Sequence, residues 1–197
     1  TGSRLFGREY EVSRIIGNPD TNHAILGIRR IGKTSLLREV ERLFREQEEE
    51  SSVIYLDCSD LLTTDDYIRE VVRKLNPREL PRLQMQQYVF YFPDFLERMA
   101  RAQKRKITFC LDEIDNLVVK QRGNWDLFRM LRASSNKGAC RYILAGFREA
   151  MQEQYLLDSP FYNFAQEIRL SEFTRRQAHD LIVTPMENLR VRFRNKD

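Results

Sequence analysis

Residues Gly27 to Thr34 read Gly-Ile-Arg-Arg-Ile-Gly-Lys-Thr, the G-x-x-x-x-G-K-[ST] spacing of a loop that holds phosphate. The residue types follow from the chemistry. Glycines let the backbone close round an anion, while exposed N–H groups and the positive end of the following helix form a nest for it. Lys33 is placed to reach the β- and γ-phosphates, the Thr34 hydroxyl to bind Mg2+, and Ser35 to touch the α-phosphate. Arg29, Arg30 and Ile31 complete the binding loop between Gly27 and Gly32. The two arginines are either exposed residues or contacts to a phosphate, a neighbouring subunit or another domain.

A second constellation lies at Asp112-Glu113, two acids at the end of the apolar run Ile107-Thr108-Phe109-Cys110-Leu111. Behind a phosphate loop, an aspartate at a strand end holds Mg2+ through its water shell, and a following glutamate polarises the attacking water. GTPases and many small-molecule kinases lack that second acid. Asp115 serves either to cap the next helix or to assist catalysis. Guanine reading needs Asn-Lys-x-Asp, and Asn136-Lys137-Gly138-Ala139 has alanine at the last position. An LSGGQ-like segment is absent, which excludes an ABC-type ATPase.

These residues need a scaffold, and strand-like and helix-like segments alternate along the chain. That pattern favours a parallel sheet with helices on both faces. An opening helix after Phe6-Gly7 has Val12, Ile15 and Ile16 on one face, and Asn18-Pro19-Asp20 ends it. Strands are predicted at His23–Leu26, Val53–Leu56, Ile107–Leu111, Arg141–Ala145 and around Glu167–Leu170. The helix after the phosphate loop stacks Leu36, Leu37, Val40, Leu43 and Phe44 on one stripe and runs into the acidic Glu46–Glu50. Residues 76–95 carry three prolines among aromatics, read as a bent connection that pads the core or as a partner surface. Thr174-Arg175-Arg176-Gln177 is a capping box. It opens a helix with Ala178, Leu181 and Ile182 inward, which Pro185 then interrupts.

The 197 residues are 42% hydrophobic, with 8 glycines and 6 prolines, which excludes collagen-like and low-complexity classes and wholesale disorder. No apolar run is long enough to span a bilayer, and the expected location is cytoplasmic. The formal charge is +4 and the pI near 9.0. Arg98 to Lys106 holds five bases and no acid, so the rest of the chain sums to −1. A smaller basic cluster lies at Arg190, Arg192, Arg194 and Lys196. Cys58, Cys110 and Cys140 are far apart and lie in or beside strand-like runs, as small apolar residues rather than disulfide or metal partners.

Phe6-Gly7-Arg8-Glu9, Gly27 to Ser35, Leu111-Asp112-Glu113 and Leu181-Ile182-Val183-Thr184-Pro185 occur in an order that resembles the STAND and archaeal-type ATPases. These are relatives of AAA+ proteins and of archaeal origin-recognition ATPases. The resemblance implies a three-layer α/β P-loop NTPase core over residues 1–172, with a five-stranded parallel sheet in the order 5-1-4-3-2. It further implies a helical lid that starts in residues 173–197 and is cut short. Gly7 and Arg8 would lie near adenine and ribose, Pro185 would pack over the base, and Arg148 would sense the γ-phosphate. Arg8 as a surface residue and Pro185 as a helix terminator are the alternatives. The implied function is an Mg2+-dependent ATPase, slow in isolation, that acts as a regulatory switch in a larger signalling or DNA-associated protein. ATP or ADP and Mg2+ are the expected ligands, with Lys33, Glu113 and Arg148 catalytic and Thr34 and Asp112 on the metal. Partners would be a protein or a second copy of the chain, and nucleic acid through Arg98–Lys106. A DNA-directed ATPase of the origin-recognition or transposition type, and a non-hydrolysing nucleotide-binding scaffold, are the rival readings.

Overall fold

In the computed structural model, residues 5–47, 52–83, 88–120, 125–146 and 162–188 are described. Helix α1 (Glu9–Ile16) leads into strand β1 (His23–Leu26), and helix α2 (Lys33–Gln47) into β2 (Val53–Asp57). A helical stretch follows: α3 (Thr64–Leu75), a 3-10 turn at Pro77–Glu79, α4 (Leu80–Leu83) and α5 (Tyr88–Gln103). Then come β3 (Ile107–Asp112), α6 (Asp115–Lys120), α7 (Asp126–Asn136), β4 (Cys140–Gly146), β5 (Gln166–Arg169) and α8 (Arg175–Asn188).

The five strands form one sheet in the order β2-β3-β4-β1-β5, with every neighbouring pair parallel. This is the expected 5-1-4-3-2 order read from the other edge. The strands β1, β3 and β4 are buried along their whole length, as a sheet covered on both faces requires. Side chains alternate between two apolar layers. Ile107, Phe109 and Leu111 face one cluster with Tyr67, Ile68, Phe92, Phe95, Leu127 and Leu131 from α3, α5 and α7. Cys110, Ile25, Ile143 and Ile168 face the other, with Leu36, Leu37, Val40 and Phe44 of α2 and Ile15 of α1. Four of the five residues of the predicted α2 stripe thus form the seam of this layer, while Leu43 is only half-buried and lies outside it. Each fully buried side chain of this size contributes roughly 1.5–3 kcal/mol. The three cysteines are free and buried, and burial pushes the Cys140 thiol up to about 12.

Of residues 76–95, those described, 76–83 and 88–95, are more helical than expected, and Pro93 lies inside α5; Met85 lies outside the described residues. Phe92 and Phe95 are fully buried, so these aromatics do pad the core. Helix α3 begins with a capping box: Thr63 Oγ1 accepts from the Asp66 amide at 3.1 Å, and Asp66 Oδ2 accepts from the Thr63 amide at 2.9 Å. The predicted Thr174–Gln177 box forms too, with Gln177 Oε1 accepting from the Thr174 amide at 2.9 Å and Thr174 Oγ1 from the Gln177 amide at 3.3 Å. Two expectations for α8 are corrected. Leu181 and Ile182 are exposed, at 40% and 54%. Pro185 lies within the helix instead of ending it, and Met186 to Asn188 continue the turn beyond it.

Within β4, Arg141 is held by Thr108 Oγ1 at 2.6 Å and the Pro19 carbonyl at 2.6 Å, and its guanidinium stacks over Phe44. His23 opens β1 and is buried. Burial lowers its pKa below the ordinary 6.5, Arg14 and Arg141 press the same way, and the Asn18 carbonyl opposes them. The unfolded chain therefore takes up this proton first. Stability should be full above about pH 6.5 and fall as pH drops through that value toward the folded pKa. The only other histidine, His179, is exposed. Unfolding free energies between about pH 7 and 5 should show this slope and lose most of it in His23→Gln. An unchanged slope in the variant would remove His23 as its cause.

Candidate functional site

All five strands run the same way, so the segments after β1 and β3 emerge at one end of the sheet, where open α/β folds bind ligands. The phosphate loop leaves β1 at Leu26 and enters α2 at Lys33. Lys33, Thr34 and Ser35 form the first turn of α2, and the first carbonyl of the helix ladder is that of Gly32, which accepts from the Leu36 amide at 3.0 Å. First-turn amides have no intrahelical acceptor and point along the axis toward the loop. Thr34 and Ser35 are exposed.

Two glycines are required here for different reasons. Gly32 has φ of +99° with open space around it, so its conformation alone demands glycine. Gly27 is a matter of room: a Cβ there would lie 2.8 Å from Ile31 Cγ2 and 3.2 Å from the Leu170 carbonyl oxygen. Arg30 also adopts a left-handed backbone, with φ of 63°. Arg29 and Arg30 are exposed, and their side chains make no hydrogen bond or ion pair among the described residues. Ile31 is half-buried against the α2 layer.

Lys33 is buried, and its Nζ donates to the carbonyls of Gly27 at 2.9 Å and Ile28 at 3.1 Å. The ammonium therefore lies across the loop it belongs to. An arriving phosphate offers that cation an ionised acceptor in place of neutral carbonyls, a stronger partner.

Asp112 ends β3 and is 2% exposed. Its Oδ1 accepts from the Glu113 amide at 3.0 Å, and its Oδ2 from the Tyr55 hydroxyl at 2.8 Å. Burial and the neighbouring carboxylate push the Tyr55 pKa up, so the phenol is a donor at neutral pH. The Asp112 carbonyl is tied to the Cys58 amide at 2.9 Å, and the Ile114 amide to the Ala145 carbonyl at 3.1 Å. Between those two anchors Glu113 is exposed, with φ of 51°. A non-glycine residue in this region costs of order 1–3 kcal/mol, and such strain clusters at functional sites. Asp115 is the first residue of α6 and its first-turn acid, inside the helix rather than at the cap position before it, where its charge suits the positive end of the helix.

The opening Gly7-Arg8 segment joins the phosphate loop to the stretch before α8. Arg8 is 3% exposed. It donates to the Ser171 carbonyl at 2.7 Å and the Ile31 carbonyl at 3.4 Å, pairs with Glu11 at 3.2 Å, and lies over the Phe173 ring. Its Nε is buried without a hydrogen-bond partner among the described residues. The Gly7 carbonyl accepts from Gln177 Nε2 of α8 at 2.8 Å. Arg8 is therefore not a surface residue. Pro185 is half-buried within α8. Arg148 and the cluster at Arg190, Arg192, Arg194 and Lys196 lie outside the described residues.

Sequence reading missed Tyr55, seen only as a strand residue, and Arg38, whose guanidinium stacks over the Tyr55 ring. Nothing local in the sequence signals either one. The meeting of Tyr55 with Asp112 depends on β2 pairing with β3 in register, Asp57 opposite Asp112, and that of Arg38 with Tyr55 on how α2 packs over the sheet. The basic run Arg98–Lys106 covers the end of α5 and the turn that enters β3, so it leads into the end of the sheet away from the phosphate loop. Three of its bases are paired: Arg98 with Glu79, Arg101 with Glu97, and Lys106 with Asp20.

Solved structures share this fold. The Walker-type ATPase PABY2304 of Pyrococcus abyssi matches with a TM-score of 0.69 at 18% identity, over 96% of this chain and 60% of that one. The Aeropyrum pernix ORC1 protein, solved in complex with DNA, matches with 0.72 at 20% identity, over 95% and 51%. Cdc6p from Pyrobaculum aerophilum matches with 0.68 at 18% identity, over 95% and 51%. At these identities the likeness is one of fold, and the chain spans about half to three-fifths of the length of those proteins. No curated protein sequence matches it. Among the described residues, no helix is long and apolar enough to cross a membrane. A family model described as an AAA domain matches residues 18–152, more than half of the chain. With the phosphate loop and the strand-end acid pair both inside that match, the chain belongs to the AAA domain family of P-loop ATPases.

Proposed function

We propose that this chain is a nucleotide-operated switch that binds ATP with Mg2+ and resets by slow hydrolysis within a larger signalling or DNA-associated protein. One observation carries the reading: the phosphate loop and Asp112-Glu113 leave the same end of one parallel sheet, with a buried lysine across the loop. In this reading Gly27 to Ser35 wrap the phosphates, and Lys33 exchanges its loop carbonyls for phosphate oxygens. Asp112 and the Thr34 hydroxyl would hold Mg2+. Two protein oxygens suit an ion that keeps most of its water and completes its shell with phosphate. When bound, the ion would neutralise charge on the phosphate oxygens. Glu113 orients the water that attacks the γ-phosphorus and accepts its proton. Arg148 would contact the γ-phosphate, and Gly7, Arg8 and Pro185 would lie around the adenosine. Arg29, Arg30 and Ile31 would complete the loop's contacts. Residues 1–172 would be the ATPase body and 173–197 the start of a lid.

Two comparison structures were solved with nucleotides, Aquifex aeolicus DnaA with AMPPCP and Aeropyrum pernix ORC2 with ADP, which supports an adenine nucleotide here. A second reading, DNA-directed action, draws on the DNA complex of the ORC1 protein. It also draws on an open depression of about 340 Å³ whose lining includes Arg101, Lys104, Arg105, Lys106 and Lys137, with Glu97 among them and paired to Arg101 and Lys137. Ion pairs from three bases of the run Arg98–Lys106 to Glu79, Glu97 and Asp20 reduce its free charge and make this the weaker reading.

Lys33→Ala should abolish measurable ATP binding, a loss of at least about 100-fold from two charge-assisted bonds. Unchanged affinity in a nucleotide titration would sink the phosphate site. Glu113→Gln should keep ATP affinity and lower single-turnover hydrolysis by roughly 10²–10⁴-fold, and equal hydrolysis would remove Glu113 from that role. A wild-type chain that binds ATP without any single-turnover product would make the domain a non-hydrolysing scaffold. Duplex DNA binding that weakens with salt and is lost in Lys104→Ala/Arg105→Ala would favour the DNA reading, and no binding at low salt would dismiss it.

A further inference from the structure

Tyr55 links the helix that carries the phosphate loop to the carboxylate at the end of β3. Its ring packs among the apolar residues under α2. Arg38, one turn beyond Thr34 on that helix, lies with its guanidinium carbon 3.1 Å from the ring centroid and is itself paired with Glu41 at 3.0 Å. The hydroxyl reaches Asp112 Oδ2 at 2.8 Å, and the other carboxylate oxygen takes the Glu113 amide. Among the described residues these are the donors to the Asp112 side chain. One comes from β2 and the other from the turn that follows β3, and they bind different oxygens, so together they fix the plane of the carboxylate. Each oxygen keeps a lone pair for a further partner.

We propose that Tyr55 is a positioning residue: its hydroxyl holds the Asp112 carboxylate in the orientation that receives a divalent cation bound with ATP. The proposal rests on the assignment of Asp112 to the metal made above. Outer partners of this kind orient the groups that face the ion, and their loss weakens metal affinity by roughly 10–100-fold. Tyr55 touches neither nucleotide nor water in this role and acts through Asp112. Arg38 keeps the ring from tilting away, because the guanidinium stacks on its face.

The test is an equilibrium titration of Mn2+ into the chain with ATP, followed by electron paramagnetic resonance, for the wild type and Tyr55→Phe. Phe retains the ring under Arg38 and removes only the donor. Tyr55→Phe should weaken Mn2+ binding at least about tenfold while leaving ATP affinity in chelator unchanged. Mn2+ affinity equal to wild type would overturn the proposal. The same titration in an Asp112→Asn background controls for a general loss of structure. There Tyr55→Phe should have no further effect, and an equal loss would show that Tyr55 does not act through Asp112. A wild-type ATP complex that takes up no Mn2+ would overturn both the metal assignment and this proposal. The phosphate-loop reading would then still stand or fall on Lys33→Ala.

Discussion

The site depends on one constraint, that every strand of the sheet runs the same way. Parallel pairing puts the end of β1 and the end of β3 at the same rim, although 86 residues separate Leu26 from Asp112 in sequence. It also demands crossover helices, which bury both faces of the central strands β1, β3 and β4 and leave them largely apolar. Polar groups inside such a sheet must then find partners within it. Arg141 does so through Thr108 and Pro19, and Asp112 through Tyr55 and Glu113. The chemistry at the rim is possible because the layers beneath it are complete.

Backbone conformation marks the same rim. Of the four non-glycine residues with positive φ among the described residues, Arg30 and Glu113 belong to the two functional loops. Each sits between fixed points: Arg30 between the end of β1 and the start of α2, and Glu113 between the anchored Asp112 carbonyl and the Ile114 amide. The sheet supplies the rigidity that holds these sparsely populated geometries. Lys33 is settled in the same way, with carbonyls of its own loop satisfying an ammonium that would otherwise be buried at high cost.

Much of this was legible in the residues. The phosphate-loop spacing, the apolar runs and the Asp112-Glu113 pair located the strands to within a residue or two, because motif and periodicity agree there. Helix α2 followed from its stripe, and the Thr174 box from its spacing. The misses have a common origin. Leu181 and Ile182 have the spacing of a buried face, yet whether a face is buried depends on what packs against it, and a single helix does not encode that. Pro185 reads as a break, but its missing N–H costs one ladder bond and the helix continues past it. The contact between Tyr55 and Asp112, 57 residues apart, needs strand order and register together. Arg8 could be read as a helix-start residue, and only the fold shows it bonded to Ser171, 163 residues away.

The strand order also governs how the chain must be assembled in time. β1 is the first strand made, yet its neighbours in the sheet are β4 and β5, the last two. Its pairing partners begin about 120 residues downstream, at Ile143. Such long-range parallel contacts form late, because the entropy of closing the intervening chain is lost before they are gained. β2 and β3, by contrast, are joined through α3 and α5 and can associate without the amino-terminal segment. During synthesis, then, the loop between β1 and α2 waits for nearly the whole domain to emerge before it is held on both sides. A nascent chain stalled before residue 140 would carry the complete phosphate motif without the strands that give it shape.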